Sequence, residues 1–407
     1  MNNKTLSWPA YPRKDGRKGI RNILLIVYTV KCAEFVARKI AASFDCPDVQ
    51  VTGFDGCTDN QYAVNLLISL IRHPNVGAVL TVGLGCEYVQ AKWLSDIAAA
   101  EDKPSKSICI QDAGGTGASV REGISWCRGT LEFLSSAQTV PMTFSELVVG
   151  AECGGSDYTS GLAGNVVAGR FFDRLVDAGG TAIFEEIVEA IGLKSLLVQR
   201  AATPAAAAQL ADVYDKMLDY CRSVGQYSIS PGNFAGGLST IEEKSMGAVI
   251  KSGSRPIQGV IKVSQKPPGK GLWLLDSTPD PHPVQFGITN PNDSEGLTAL
   301  TSAGAHIVFL VTGRGSVVGS AVAPCIKITG NSSTFGRMSE DIDFNASEVL
   351  DGTCSMAQLT DRLVNVVIET ASGKLTKAEK LGHFESWVPY KYQDTGSAGT
   401  RRCEGTE

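Results

Sequence analysis

Four apolar runs in this chain end in the same way, each delivering a cysteine just past a strand-like stretch: YTVKC to Cys32, VTGFDGC to Cys57, LTVGLGCE to Cys86 and LVVGAEC to Cys153. Three of these cysteines touch a glycine. The C-terminal ends of parallel strands converge in space. A strand that breaks into glycines also turns backbone N–H groups and short polar side chains toward the start of the next helix, where open α/β sheets place their ligands. The recurrence therefore predicts thiols gathered at strand ends, with Ser156 and Asp157 beside Cys153.

Between the cysteines the apolar period alternates between that of strands and that of helices, the signature of a parallel sheet. Strands are predicted over 23–30, 49–54, 77–84 and 107–111, with helices over 60–72 and 90–99 and around Val120 and Ile124. A second series has strands over 180–185, 306–311 and 325–329 and helices over 165–178, 202–224 and 356–371. The expected fold is α/β, two doubly wound, mostly parallel-sheet units whose strand C-terminal ends meet at a shared site. The expected domains are a lead-in over 1–22, a first unit over 23–144, a second over 145–391 and a disordered tail over 392–407. The lead-in YPRKDGRKGIRN reads as a solvated loop, 266–296 as loop-rich, and SPGNFAGGLSTIEEKSMG as a surface loop or a lining segment.

At 407 residues the chain exceeds the size at which one core keeps growing. Its net charge of −5, without a basic stripe, argues against nucleic acid as a main partner. No run reaches the roughly 18 apolar residues of a membrane span, and the start lacks the apolar stretch of a secretory signal. Eleven cysteines, an odd number, then read as reduced thiols in a cytoplasm. Some are free to bind metal.

Three thiolates around an open position could hold a four-iron cluster, or thiolates with Glu87 or Asp157 could hold one divalent iron. Cys46, Cys109, Cys127, Cys221, Cys354 and Cys403 read as core fillers or exposed thiols. Four histidines, His73, His282, His306 and His383, argue against a multi-histidine site, and His73 in RHPN reads as a cap or turn residue. The glycine runs lack both a Walker pattern and GxGxxG after a strand. Arg17, Arg21, Lys244, Arg314 and Lys327 form a cationic set; Arg314 and Lys327 sit beside strand ends, where they suit a carboxylate ligand. Lys244 is either a base, if burial lowers its pKa, or an exposed lysine at a helix start.

The stretches DGRKGIRN, TVKC, RHPNVGAVLTVGLGCE, ECGGSDYTSGLAGN, SPGNFAGGLSTIEEKSMG, TGRG, IKITGNS and IDFNA together resemble the altronate/galactarate dehydratase family of sugar-acid hydro-lyases, over roughly residues 11–390. The resemblance implies a cytoplasmic, iron-dependent enzyme, with Mn2+ as a possible substitute, that takes water from a sugar acid to give a 2-keto-3-deoxy acid. It implies that Cys57, Cys86 and Cys153, with Cys32 nearby, hold the iron centre as Fe2+ or an iron–sulfur cluster. Glu87 and Asp157 would stand near it, with Lys244 as the base. Arg21, Asn22, Ser156, Asn233, Arg314, Lys327 and Asn331 would orient the substrate. Full-length members begin with a small β-rich domain, so a separate small subunit is expected here, in a homo-oligomer, with no membrane or nucleic-acid partner. A family histidine four residues before Cys57 is replaced by Gly53. Because the family includes a lyase that expels sulfite from sulfolactate, a C–S lyase on a sulfonated hydroxy acid is an alternative, as is a non-catalytic sugar-acid-binding subunit.

Overall fold

The computed structural model describes residues 6–58, 60–225, 227–280 and 292–391. The tail from 392, His282 and Cys403 lie outside the described residues. The chain opens with two short strands, β1 (Ser7–Pro12) and β2 (Lys18–Gly19). Four strands then form a parallel sheet in the order β4-β3-β5-β6: β3 (Ile23–Tyr28), β4 (Val49–Gly53), β5 (Val76–Gly83) and β6 (Ser105–Cys109). Every residue of β3 and β5 is buried, as strands covered on both faces require. β7 (Val140–Thr143) returns to pair antiparallel with β1, Trp8 opposite Met142, completing a three-stranded sheet β2-β1-β7.

The remaining strands build a seven-stranded parallel sheet. They are β8 (Val148–Cys153), β9 (Thr181–Phe184), β10 (Ile257–Lys262), β11 (Gly271–Asp276), β12 (Ile307–Val311), β13 (Cys325–Thr329) and β14 (Phe344–Asn345). Their order is β10-β11-β9-β8-β12-β13-β14. The fold is thus α/β, with two wound parallel sheets. Strand order reverses at β8, which has β9 on one side and β12 on the other. That makes the C-terminal end of β8 a topological switch point, the crevice where such sheets bind ligands.

Several helices start where the sequence supplies a capping side chain. Asn60 accepts the N–H of Ala63 to open the helix Gln61–Ile71, and Thr203 accepts that of Ala206 ahead of Pro204–Val224, with proline in its first turn. Among the described residues no helix is long and apolar enough to cross a membrane. Two regions differ from expectation. The lead-in is only in part a solvated loop: Lys14–Gly16 form an exposed turn, but the segment also supplies β1 and β2, and Ile20, Arg21 and Asn22 are buried. The loop-rich stretch holds β11, whose GLWLLD is buried throughout because β10 and β9 flank it.

The two parallel sheets share one apolar cluster, in which Leu25, Val27 and Val79 of the first join Leu275, Val308 and Leu310 of the second. The helices Gln61–Ile71 and Asp293–Ser302 pack between them. A buried polar knot fastens the junction. The Asn75 side chain donates to the carbonyls of His306 (3.1 Å) and Val322 (3.0 Å) and accepts the N–H of Ile20 (3.0 Å). His73 accepts the N–H of Asn75 at Nδ1, the turn contact, and reaches the Ala305 carbonyl through Nε2 at 3.1 Å. His306 accepts from the N–H of Val148 at Nδ1 and therefore carries its proton on Nε2, 2.9 Å from the Lys18 carbonyl.

Burial and the nearby Arg17 charge lower the pKa of His306 from 6.5 to about 4. The unfolded chain therefore binds more protons than the folded one between those values, so stability contributed by this residue is present above the upper pKa and lost as pH falls toward the lower. Replacing it by His306→Gln should flatten the pH dependence of urea-unfolding free energy below pH 6.5 by up to ~1.4 kcal/mol per pH unit relative to wild type. An unchanged difference between the two proteins across that window would contradict the assignment.

Candidate active site

β8 carries Glu152 and Cys153 to its buried C-terminal end. Beside it β9 stops at Phe184 and runs into Glu185 and Glu186. Glu186 adopts φ +73°, a left-handed conformation that costs a residue with a side chain about 1–3 kcal/mol and is characteristic of functional sites. β9 is buried on both faces, and the two consecutive glutamates that follow it are buried as well. A 3-10 turn over Ile187–Ala190 then adds Glu189. Two lysines arrive from the helical run beginning at Ile241, Lys244 on the helix Ile241–Val249 and Lys251 on the turn Ile250–Ser252. Seven residues apart, they fall on one helical face.

The resulting cluster is charged and nearly dry. Glu152, Glu185, Glu186, Glu189 and Lys251 are all under 5 % exposed and Lys244 is 7 % exposed. Glu186 accepts the N–H of Cys153 at 2.8 Å and an ion pair from Lys251. Glu189 is paired with Lys244, whose ammonium also donates to the Ser228 carbonyl at 2.7 Å and hydroxyl at 3.1 Å. The Cys153 thiol lies 3.1 Å from the Ser156 hydroxyl and 3.6 Å from the Asn165 amide.

Burial, with crowding by Glu186 and Glu185, pushes Glu152 well above the carboxylate range. Burial and the Glu189 charge raise Glu186 to about 8, and burial with the same neighbour raises the Cys153 thiol to about 11. Burial works against the Lys244 charge, but Glu189 outweighs it and the pKa rises. The expectation that burial lowers this lysine is therefore corrected: a carboxylate in contact keeps it protonated.

Among the described residues, two sets of donor atoms lie within 4.8 Å of one another: Cys153, Glu186 and Glu189, and Glu152, Glu185 and Glu186. One carboxylate oxygen each of Glu152, Glu185 and Glu189 is buried without a hydrogen-bond partner. Buried orphan oxygens are uncommon, and here they belong to groups that could hold a metal ion. One thiol among carboxylates suits a borderline divalent cation, whereas an iron–sulfur cluster takes its ligands mainly from thiolates.

A cleft of about 330 Å³ opens beside this cluster, lined by Ser156, Asp157, Asn165, Glu243 and Lys244 together with apolar residues such as Tyr158, Leu162 and Met246. SPGNFAGGLSTIEEKSMG forms short helices along it, a lining segment rather than a surface loop. Its Gly247 meets Gly161 so closely that a Cβ on Gly161 would stand 2.7 Å from the Gly247 Cα. That contact lets the Gly247 carbonyl accept the Asn165 amide at 2.9 Å.

Asp157 accepts the N–H and hydroxyl of Thr159 (2.8 and 2.6 Å), the N–H of Ser160 (3.1 Å) and the Asn331 amide (2.7 Å). Asn233 donates to the Ser156 carbonyl at 3.2 Å, and Arg314, exposed, to the Gly232 carbonyl at 3.0 Å. Structure thus brings Cys153, Ser156, Asp157, Asn233, Lys244, Arg314 and Asn331 into one neighbourhood.

The other expected residues make different contacts. Cys32, in the first turn of the helix Lys31–Ala41, and Cys57 and Cys86, on the loops after β4 and β5, are exposed, and neither donor set includes them. Glu87 accepts from the Thr29 hydroxyl at 2.7 Å and the N–H groups of Leu84 and Gly85. Arg21 is buried and spends its guanidinium on Glu379 and on the carbonyls of Ile20, Thr370 and Lys374. Asn22 donates to the Leu134 carbonyl, and Lys327 faces His383 Nδ1 at 3.4 Å. At Gly53 a Cβ would meet the Tyr28 ring at 2.3 Å, so the aromatic ring fills the space of a side chain there. Glu185, Glu186, Glu189 and Lys251 escaped the sequence reading. The available signal was EExxE directly after an apolar run, with lysines seven apart.

Comparison with known proteins bears on this geometry. The D-galactarate/altronate dehydratase C-terminal domain profile matches residues 144–394, and the D-galactarate dehydratase/altronate hydrolase second-domain profile matches 10–135. The chain belongs to the D-galactarate/altronate dehydratase family. It is 32 % identical to altronate dehydratase of Bacillus subtilis over 401 residues, 93 % of this chain and 76 % of that protein. It is 33 % identical to altronate dehydratase of Escherichia coli over 397 residues, 91 % and 75 % of the two chains. It is also 31 % identical to the (2R)-sulfolactate sulfo-lyase subunit beta of Chromohalobacter salexigens over 406 residues, 97 % of this chain and all of that one.

In this family member the buried ion pairs should be far costlier to break than exposed ones. Lys251→Met leaves Glu186 buried without its counter-charge and should cost about 3–5 kcal/mol of unfolding free energy. Lys194→Met, which breaks an exposed pair with Asp215, should cost less than ~1 kcal/mol. Urea titration at pH 8 compares them, and equal losses would show that the cluster is not the dry network described.

Proposed function

We propose that this dehydratase-family enzyme removes water from a sugar acid in the cleft at the end of β8, leaving a 2-keto-3-deoxy acid. The observation that carries the reading is Lys244: its side chain lines the cleft while its ammonium is paired with Glu189 of the buried thiol–carboxylate set. Relatives named altronate dehydratase support a polyhydroxy carboxylate as the substrate class.

The reading places a divalent cation, iron(II) or manganese(II), on Cys153, Glu186 and Glu189. Bound there, it would act as a Lewis acid on the substrate's carboxylate and adjacent hydroxyl, easing loss of the weakly acidic α-proton. The chain's own groups do the rest. Lys244, kept protonated by Glu189, supplies a proton to the departing hydroxide in place of the proton-accepting role expected from sequence, and the Asp157 carboxylate, which lines the same cleft, takes the α-proton. Ser156 and Asn165 offer hydrogen bonds at the cleft wall. Asp157 and Asn331 tie β8's outgoing turn to that of β13, fixing the wall's position, and Arg314 stands nearby as a fork for a carboxylate. Unpaired thiols throughout the described residues support a reducing compartment, read as the cytoplasm.

A second reading has its own support. The match along the full length of a sulfo-lyase subunit beta favours sulfite as leaving group and a chain that works with another subunit. Incubation with altronate, galactarate and sulfolactate, with assays for 2-keto acid and for sulfite, decides between them. A 2-keto acid from the sugar acids without sulfite is expected, and sulfite from sulfolactate alone would replace the first reading by the second.

Metal content and turnover measured together test the ligand set. Cys153→Ser and Glu189→Gln should each lose bound metal and reduce turnover at least ~100-fold, while Cys86→Ser keeps both. Loss of metal in Cys86→Ser with retention in Cys153→Ser would instead favour the thiolate centre built from Cys57 and Cys86.

A further inference from the structure

The opposite end of the seven-stranded sheet holds a second cavity, of about 380 Å³, at the N-terminal ends of β8 and β9 where Val148 and Thr181 line it. Its charged lining is lopsided. Arg17, Lys18, Lys266 and Lys270 converge on it, with Glu146 as the acid in the lining and neutral His306 at its base. The cations come from two separate segments, the DGRKG turn ahead of β2 and the KPPGK connection between β10 and β11. Neither segment has a part in the β8 cleft.

The nearby acids do not balance this set. Glu146 is paired with Lys18 at 2.6 Å. Asp15 holds Arg17 at 2.6 Å and stands 3.7 Å from Lys266. Lys270 donates to the Ser145 carbonyl and pairs with no acid among the described residues. Arg17 uses Nε on Asp15 and Nη2 on the Arg72 carbonyl, leaving Nη1 without a protein partner among the described residues. The excess of positive charge is felt within the set, because burial and then Arg17 lower the pKa of Lys266. Cations in a concave site with too few counter-charges raise the local concentration of anions, and two lysines with an arginine edge match an oxyanion bearing two charges.

We infer that this cavity is an anion-binding site, distinct from the β8 cleft, for a small dianion of phosphate or dicarboxylate chemistry. The ligand would bridge the DGRKG turn to the KPPGK connection, against the His306 side of the inter-sheet knot. A dianion held there stabilises the fold because it binds the native arrangement of both segments and not the unfolded chain.

Thermal unfolding of the full chain in inorganic phosphate, and separately in galactarate, each against sodium chloride at matched ionic strength, tests the site. Phosphate should raise Tm in wild type and in Lys244→Met alike. The Lys266→Met/Lys270→Met double variant, altered only at exposed side chains, should keep the wild-type Tm in sodium chloride and its turnover, yet lose the phosphate shift. A galactarate shift that survives Lys244→Met and disappears in the double variant would support the site with a dicarboxylate as its ligand. Phosphate and galactarate shifts no larger than those of sodium chloride, or shifts retained in the double variant, would overturn it. So would a galactarate shift, without one from phosphate, that Lys244→Met abolishes, since that binding belongs to the β8 cleft.

Discussion

Four glutamates and two lysines occupy a volume from which water is almost excluded, and the surrounding architecture follows from making that tolerable. An isolated ion in such a place costs several kcal/mol, and it persists only when counter-charges and hydrogen bonds stand within contact distance. Here the compensation comes from elements far apart in sequence. β8 supplies Glu152, the left-handed turn after β9 supplies Glu185 and Glu186, the 3-10 turn that follows supplies Glu189, and one helical run supplies both lysines. The strain at Glu186 and the glycine-to-glycine contact at 161 and 247 are the geometric conditions for those charges to meet.

That arrangement separates two tasks within one site. The deeper carboxylates, with orphan oxygens, are electrostatically suited to a cation, whereas Lys244 and the polar groups of β8's outgoing turn face the cleft. A hydroxy acid carries both a chelating pair of oxygens and a negative charge, so it would find a partner for each feature on opposite sides of the same ammonium. The DGRKGIRN signature contributes differently. Its second arginine is bound into Glu379 and three carbonyls, which makes that part of the motif a fastening between distant parts of the chain.

The fold was largely legible because long apolar runs and capped helices obey local rules. Ile23–Tyr28, Cys325–Thr329 and Met356–Ala371 lie where their periodicity places them. The small sheet was not, since SWPAYP and VPMT carry prolines that read as loop and owe their pairing to each other across the chain. β11 was hidden by its glycine- and proline-rich flanks. At the site, positions defined by a strand end were visible in advance, Cys153, Ser156 and Asp157 among them. The glutamates were not, because FEEIVEA looks like an ordinary charged helix start until the fold buries it. The same limit applies to Arg21 and Lys327. A cation is plain in the sequence, but whether its partner is a substrate or a carboxylate 358 residues away is a property of the folded chain.

The knot of His73, Asn75 and His306 has a consequence for how the molecule comes apart. Asn75 ties its own unit to two backbone carbonyls of the other, and the apolar layer between the sheets is continuous across the same junction. Separating the units would strand a buried amide and two carbonyls while exposing that layer, so neither sheet has a cheap route to open alone. The opening that is cheap lies at the periphery. In hydrogen-exchange terms the two sheets would behave as one cooperative foldon, with the slowest amides shared between β3 and β12 rather than confined to either domain.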